Sequence, residues 1–276
     1  MTDVREASAP TATGRKGPNP QGDFIWYELM TPDAEGSKDF YDAVVGWTIG
    51  DAEPAYNGYR MIGVEGGFAG GVLPLTDEMR QHGARPTWLG YIHVSDVDGS
   101  LASIEQAGGK TLLPATDIPN VGRIAMAADP QGAPFYVMKP IPQPGRENEP
   151  SDVFSPDKTG RCAWNELSTS DPVAARRFYG GQFGWTSDDF MDMGEHGEYR
   201  FVDHHGLRLG AVAGAMQGQP SHWRYYFRVP SVSAAKNTAE AKGGKVVMGP
   251  MEVPGGDHII IGIDPQGAEF ALVGKE

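Results

Sequence analysis

The chain is written twice. Laying Trp26 to Trp47 on Trp164 to Trp185, a shift of 138 positions (164 minus 26), matches 9 of 22 residues without a gap. The matched set includes Trp26/Trp164, Glu28/Glu166, Asp33/Asp171, Phe40/Phe178, Tyr41/Tyr179 and Trp47/Trp185. With small insertions the match continues. Tyr59-Arg60 answers Tyr199-Arg200, Gly108-Gly109-Lys110 answers Gly243-Gly244-Lys245, and an Asp-Pro-Gln-Gly-Ala run begins at both Asp129 and Asp264. Solenoid units repeat every ~20 to 50 residues, so a period this long is a duplicated domain.

Between the copies, Pro140 to Gly160 holds five prolines and mixed charges, the composition of a semi-rigid linker with nothing to bury. The expected organisation is a disordered tail over 1–22, a first domain over 23–140, a linker over 141–160 and a second domain over 161–276. Hydrophobic residues make up 39% of the 276, enough for ordinary cores. Lys and Arg total 23 against 36 Asp and Glu, a net charge of −13. A surface that acidic repels phosphate backbones and anionic lipid, so nucleic acid and membrane are not the expected partners. No stretch approaches the ~18 apolar residues of a membrane span, and the opening lacks the apolar core of a secretory signal. A single cysteine, Cys162, excludes an internal disulfide framework and fits a reducing compartment. The expectation is a cytoplasmic protein, monomer or homodimer, with a small molecule as its partner.

A shorter rhythm runs inside each copy. Phe24 to Met30 is rich in β-formers, and Asp33 then reads as the N-cap of a helix carrying Phe40, Tyr41, Val44 and Val45. The second copy adds Pro172 directly after Asp171, where a fixed φ suits the first helical turn. Strands are expected near Tyr59 to Val64 and Gly70 to Leu73, after which the pattern restarts. Trp88 to Ser95 reads as a strand and Asp98 to Ala107 as a helix stopped by two glycines. Three more strands follow, around Lys110 to Leu113, Arg123 to Ala128 and Phe135 to Met138, the last two joined by the Asp-Pro-Gln-Gly turn. Each domain is thus a pair of β-α-β-β-β units, and the fold class is α+β.

Two such units per domain, the first strand running into Asp and then Phe-Tyr, and the closing Asp-Pro-x-Gly hairpin resemble the vicinal oxygen chelate superfamily. That group includes glyoxalase I, bleomycin- and fosfomycin-resistance proteins and extradiol dioxygenases. The resemblance covers about residues 24 to 139 and 162 to 273, and the similarity is greatest to tandem glyoxalase-like proteins. It implies that each domain curls a mixed sheet into an open cup, with the cup as binding site.

The resemblance also implies where metal ligands belong. They fall at Trp26 and Trp164, at Leu89 and Arg224, and at Tyr136 and Ala271. Indole, alkyl and guanidinium groups cannot coordinate a divalent cation, and neutral Tyr is a poor ligand. No metal and no other cofactor is therefore expected. The seven histidines offer no replacement spacing: His204 and His205 are adjacent, His82, His196 and His222 read as loop residues, and His93 and His258 are non-equivalent.

If Trp26 faces the cup, alternation brings Glu28 and Met30 to the same face, with Tyr91, His93 and Tyr136, while Phe135 turns toward the helices. In the second cup the same parity collects Trp164, Glu166, Arg224, Tyr226 and Arg228, with Phe270 turned away. A carboxylate beside an indole is an environment that raises a Glu pKa, so Glu28 and Glu166 are the candidate acid–base groups. The alternative is structural: each Glu pairs with a nearby cation, Arg60 or Arg200. The aromatic side chains likewise either stack on a planar ligand or fill a core. The second cup, with Arg224, Arg228, Ala271 and the Asp203-His204-His205 segment, reads as roomier, more cationic and suited to an anionic ligand. The acidic loop holding Met191 and Met193 reads as a solvated loop, with a lid over the second cup as the alternative, and Cys162 as a packed thiol. Three functions stay open: sequestration of a small aromatic or anionic molecule, a lyase or isomerase using Glu28 or Glu166, and a metal-dependent lyase or dioxygenase with relocated ligands.

Overall fold

The structure is a computed structural model and describes residues 17–142 and 144–276. The first half contains β1 (Phe24–Thr31), α1 (Ala34–Val45), β2 (Thr48–Ile49), β3 (Arg60–Val64), β4 (Gly67–Pro74), α2 (Asp77–Gln81), β5 (Thr87–His93), α3 (Val97–Gln106), β6 (Lys110–Ile118), β7 (Gly122–Ala128) and β8 (Pro134–Pro140). The second contains β9 (Cys162–Thr169), α4 (Pro172–Phe183), β10 (Phe190–Asp192), β11 (Glu198–His204), β12 (Leu207–Gly214), β13 (His222–Ser231), α5 (Val232–Ala241), β14 (Lys245–Val253), β15 (Asp257–Ile263) and β16 (Glu269–Lys275). Each half forms one eight-stranded mixed sheet, ordered β2-β3-β4-β1-β5-β8-β7-β6 and β10-β11-β12-β9-β13-β16-β15-β14. The order is the same in both. The two central strands of each sheet, β1 with β5 and β9 with β13, run antiparallel, and each has its own unit's last strand parallel beside it.

Local chemistry sets the repeated elements. Asp33 and Asp171 cap α1 and α4 by accepting from the amides of Gly36 and Ala174. Both helices end on a left-handed glycine, Gly46 at φ 82° and Gly184 at φ 72°, a conformation other residues adopt at a cost. In the closing turns one carboxylate oxygen of Asp129 accepts from the amides of Gln131 and Ala133, and Asp264 does the same with Gln266 and Ala268.

The halves share one core. Their helix-bearing faces meet, and the joint is filled by aromatic rings from both: Phe40 of α1 packs on Phe270 of β16, and Phe178 of α4 on Phe135 of β8. Polar pairs cross the joint with the same symmetry. Tyr41 accepts from Trp88 and donates to Asp264, while Tyr179 accepts from Trp223 and donates to Asp129. Phe135 and Phe270 thus turn toward helices, and the helices belong to the opposite half.

Three expectations change. The segment expected to bury nothing places Val153 in the shared core, hydrogen-bonds Ser155 and Val153 to Cys162, and packs against Arg161, itself 1% exposed. Of the expected tail, 1–16 lie outside the described residues. Residues 17–22 are held down: Gln21 accepts from Ser95, the Gly22 amide donates to His93, and the Gly22 carbonyl accepts from Trp185. The acidic segment with Met191 and Met193, read as a solvated loop or a lid, instead contributes the edge strand β10, paired with β11.

Candidate functional site

The faces turned away from the shared core hold the candidate residues. On the first sheet, strand registers set Trp26 beside Tyr91, Glu28 beside Leu89 and Tyr91 beside Tyr136. Leu89, Tyr91 and Tyr136 pack in one apolar cluster with Ile25, Met30, Ile124 and Met138, and Trp26 lies against it. Tyr91 and Tyr136 stack at 4.2 Å with planes 12° apart. The predicted alternation on this face holds.

Glu28 is 3% exposed at the centre of the cluster. The Tyr91 hydroxyl donates to its Oε2 at 2.9 Å. Tyr59 also hydrogen-bonds the carboxylate, and its hydroxyl accepts from Trp26 Nε1 at 2.7 Å. Oε1 has no partner. Loss of water drives the Glu28 pKa up, the two tyrosine hydroxyls only partly offset it, and the group comes to about 7.

The second sheet repeats this constellation and then neutralises it. Trp164 Nε1 donates to the Tyr199 hydroxyl at 2.8 Å, and Tyr199 donates to Glu166 Oε2 at 2.7 Å. Tyr226, the counterpart of Tyr91, lies 3.3 Å from the same oxygen. Where the first half has Leu89, the second has Arg224, whose Nη1 donates to Glu166 Oε1 at 2.6 Å. Arg224 also grips Glu269 through Nε at 2.7 Å, and His222 lies 3.5 Å from Glu269. Burial acts against ionisation of Glu269, yet hydrogen bonds from His222 and Arg224 bring it to about 2. The seat of Tyr136 is taken by Ala271.

Several expected site residues sit elsewhere. Arg60 binds Glu35 of α1 and the Gly50 carbonyl, and Arg200 binds Glu198, so neither is the cation of Glu28 or Glu166. The reason is strand alternation. Tyr59 and Tyr199 take the cup faces, which turns the arginine after each to the other side. Arg228 is held by Asp257 at 2.8 Å and by the Pro156 carbonyl. With Arg224 and Arg228 both paired to carboxylates, the second concavity is not the free cationic surface the sequence suggested. His204 is buried against the Gln21 carbonyl at the joint rather than in the second cup. His93 follows Tyr91 on the cup face, next to Met138, and its buried Nδ1 has no hydrogen-bond partner among the described residues.

Sequence reasoning passed over four contributors: Tyr59, Tyr199, Glu269 and α2. The tyrosines were visible as repeated residues, and alternation identifies them as the inward neighbours. Glu269 carried no signal of its own. The connection between β4 and β5 (residues 75–86) is longer than its counterpart between β12 and β13 (residues 215–221), and the extra length forms α2. Leu75, Met79 and Ala84 from this segment pack on the first cluster and cover it.

The positions at which the resemblance expects metal ligands do lie together on each cup face. Their chemistry does not fit a resident cation: the first set is indole, isobutyl and phenol, and the second places the Arg224 guanidinium at its centre. Among the described residues no three His, Cys, Asp or Glu side chains gather as a metal site.

A family model described as "Glyoxalase/Bleomycin resistance protein/Dioxygenase superfamily" matches residues 24–137 and 160–272. CFP32 of Mycobacterium tuberculosis, provisionally named a glyoxylase, is 30% identical over 256 residues, covering 92% of this chain and 95% of that one. The anthracycline biosynthesis protein DauV of a Streptomyces species is 30% identical over 265 residues, covering 90% and 91%. Among solved structures, the Mn(II)-bound glyoxalase of Novosphingobium aromaticivorans superimposes with a TM-score of 0.59 at 16% identity, covering 95% of this chain and 83% of that one. Homoprotocatechuate 2,3-dioxygenase of Arthrobacter globiformis gives 0.61 at 15%, covering 100% and 84%; at such identities the likeness shows the fold. By sequence and by fold alike, the chain belongs to the glyoxalase/bleomycin resistance protein/dioxygenase superfamily.

Proposed function

We propose that the first concavity binds a small planar organic molecule without a metal ion, and that Glu28 is the proton donor or acceptor there, while the second half serves as scaffold. One observation carries this reading: Glu28 lies among apolar side chains with no counter-cation among the described residues and a pKa near 7, whereas its twin Glu166 is ion-paired to Arg224. A carboxyl poised near neutral pH is available in both protonation states, which is what acid–base catalysis needs. A carboxylate locked to a guanidinium is a structural element.

The stacked Tyr91–Tyr136 pair with Trp26 packed beside it supports a planar ligand, since aromatic rings gain from stacking as well as from burial. Two relatives are named as anthracycline biosynthesis proteins, which supports a small organic molecule as the ligand class. The reaction that fits a single carboxyl is proton transfer in a lyase or isomerase; sequestration is the same binding without turnover. An acidic chain with no helix, among the described residues, long and apolar enough to cross a membrane is consistent with a small-molecule partner.

Native mass spectrometry of the purified chain tests the assignment. A co-purifying organic molecule that is lost in Glu28→Gln and Trp26→Ala but kept in Glu166→Gln supports it. Retention in Glu28→Gln with loss in Glu166→Gln reverses the roles of the two halves and refutes it.

A further inference from the structure

The duplication also sets the outer faces of α1 and α4 side by side, away from both concavities. Spacings of three and four place Glu35, Lys38, Asp39 and Asp42 on one face of α1, three carboxylates against one lysine. The residues 138 positions on, in α4, are Val173, Arg176, Arg177 and Gly180, two arginines and no carboxylate. The formal charge of the face thus turns from −2 to +2, in a chain whose net charge is −13.

In the first half this face satisfies itself. Lys38 Nζ donates to Asp42 Oδ2 and to the Ile49 carbonyl, each at 2.6 Å, and the Ile49 amide donates to Asp42 Oδ1 at 2.8 Å. Asp42 is a carboxylate held between a cation and a backbone N–H. In the second half Arg176 stands for Lys38 and Ser187 for Ile49, but Gly180 stands for Asp42. A cavity of about 390 Å³ opens there, lined by Arg176, Arg177, Trp185, Ser187 and Asp188. Gly180 borders it, since a Cβ built there would lie 3.1 Å from the Trp185 carbonyl oxygen. The Ser187 carbonyl accepts from Arg200, so it does not occupy Arg176 as the Ile49 carbonyl occupies Lys38. Among the described residues Arg177 makes no hydrogen bond or ion pair, and Arg176 makes one, from Nε to the Pro172 carbonyl at 3.2 Å. Two carboxylates are near. Glu198 is bound by Arg200 at 2.7 Å, and Asp188 is exposed on the rim.

We propose that this cavity, on the helix side of the second half, binds the carboxylate group of a small organic acid, in the position that the Asp42 side chain fills in the first half. Arg176 supplies charge-assisted hydrogen bonds, its planar guanidinium matching the planar carboxylate. The Ser187 amide supplies the backbone hydrogen bond that the Ile49 amide gives to Asp42, and Arg177 is the second cation on the wall. Two arginines with Asp188 leave one net positive charge, which suits a monoanion better than a phosphate dianion. The cavity also has room for the acid's carbon skeleton, which lies against Trp185 and the exposed Val173. The site is separate from the Glu28 carboxyl and independent of its role.

Nitrogen-15 NMR titration of the full chain with sodium propionate, against sodium chloride at matched ionic strength, tests this through the amide resonances. The expected result is a saturable downfield shift of the Ser187 amide proton with propionate and none with chloride, while the Ile49 amide, already bonded to Asp42, stays in place. Arg176→Gln should weaken binding about tenfold, the loss of a charged hydrogen bond. Gly180→Asp supplies the first half's carboxylate from within and should abolish the response. Gly180→Ala adds the same Cβ without the charge and should keep it. The proposal is overturned by the absence of a saturable Ser187 shift, by an equal shift with chloride, by unchanged affinity in Arg176→Gln, or by a response that survives in Gly180→Asp. Tighter binding of inorganic phosphate than of propionate overturns the assignment to a carboxylate.

Discussion

Replacing Glu28 by Gln isolates the cost of burying an ionisable group without a cation. The carboxyl moves from an ordinary 4.5 to about 7 because it is desolvated. A raised carboxyl pKa means that the folded chain binds the proton more tightly than the unfolded chain. Stability is therefore highest below about pH 4.5 and falls as the pH rises through about 7. At 1.36 kcal/mol per pKa unit the whole effect is about 3 kcal/mol, and most of it develops between pH 5 and pH 8. Gln has the shape of the protonated acid and cannot ionise. The two proteins should match within about 1 kcal/mol at pH 5, and the variant should gain on the wild type by about 2–3 kcal/mol by pH 8. Urea unfolding of both proteins at half-unit pH steps reads the difference, in which every other titrating group cancels. A difference that stays flat from pH 5 to pH 8, with unchanged slopes in urea, would refute the reasoning.

Other substitutions probe the second site and the joint. Arg224→Leu recreates the first half's arrangement in the second, strands Glu166 and Glu269, and should cost about 3 kcal/mol in denaturant unfolding at pH 7, with partial recovery in the double variant with Glu166→Leu. Tyr41→Phe and Tyr179→Phe each remove one bond to the opposite half's closing turn and should cost about 1–2 kcal/mol apiece. Residues 23–140 or 161–276 expressed alone should give no cooperative monomeric unfolding transition, because each half exposes its side of the shared core; a sharp thermal transition in a monomeric half would contradict the back-to-back packing. Protein purified without chelators should carry far less than one equivalent of Fe, Mn, Ni or Zn by plasma mass spectrometry, and stoichiometric metal would remove the reading of a metal-free site.

What the sequence revealed depended on distance along the chain. Duplication, the capping aspartates and the two-residue alternation act between near neighbours, and they placed Trp26, Glu28, Tyr91 and Tyr136 on one face correctly. The pairing of charges did not follow from nearness. Arg60 and Arg200 looked like partners for the two glutamates because they repeat, but the tyrosine before each takes the inward position. Arg224 meets Glu166 only because β13 lies antiparallel to β9 in a register that sets them side by side, and Leu89 meets Glu28 for the same reason. The fate of the two carboxylates thus rests on one residue across a strand pair, which linear spacing does not display. The contacts of Tyr41 with Asp264 and Tyr179 with Asp129 depend on how the halves meet, and no feature within one copy encodes that.

The most direct test is a carbon-13 NMR titration of the glutamate side-chain carboxyls in the ligand-free chain, with Glu28 assigned by the resonance missing in Glu28→Gln. A midpoint near 7 for that single resonance is the expected result. A midpoint near 4.5 would mean that water or a cation reaches the carboxylate, and the case for a proton-transfer site in the first concavity would be gone.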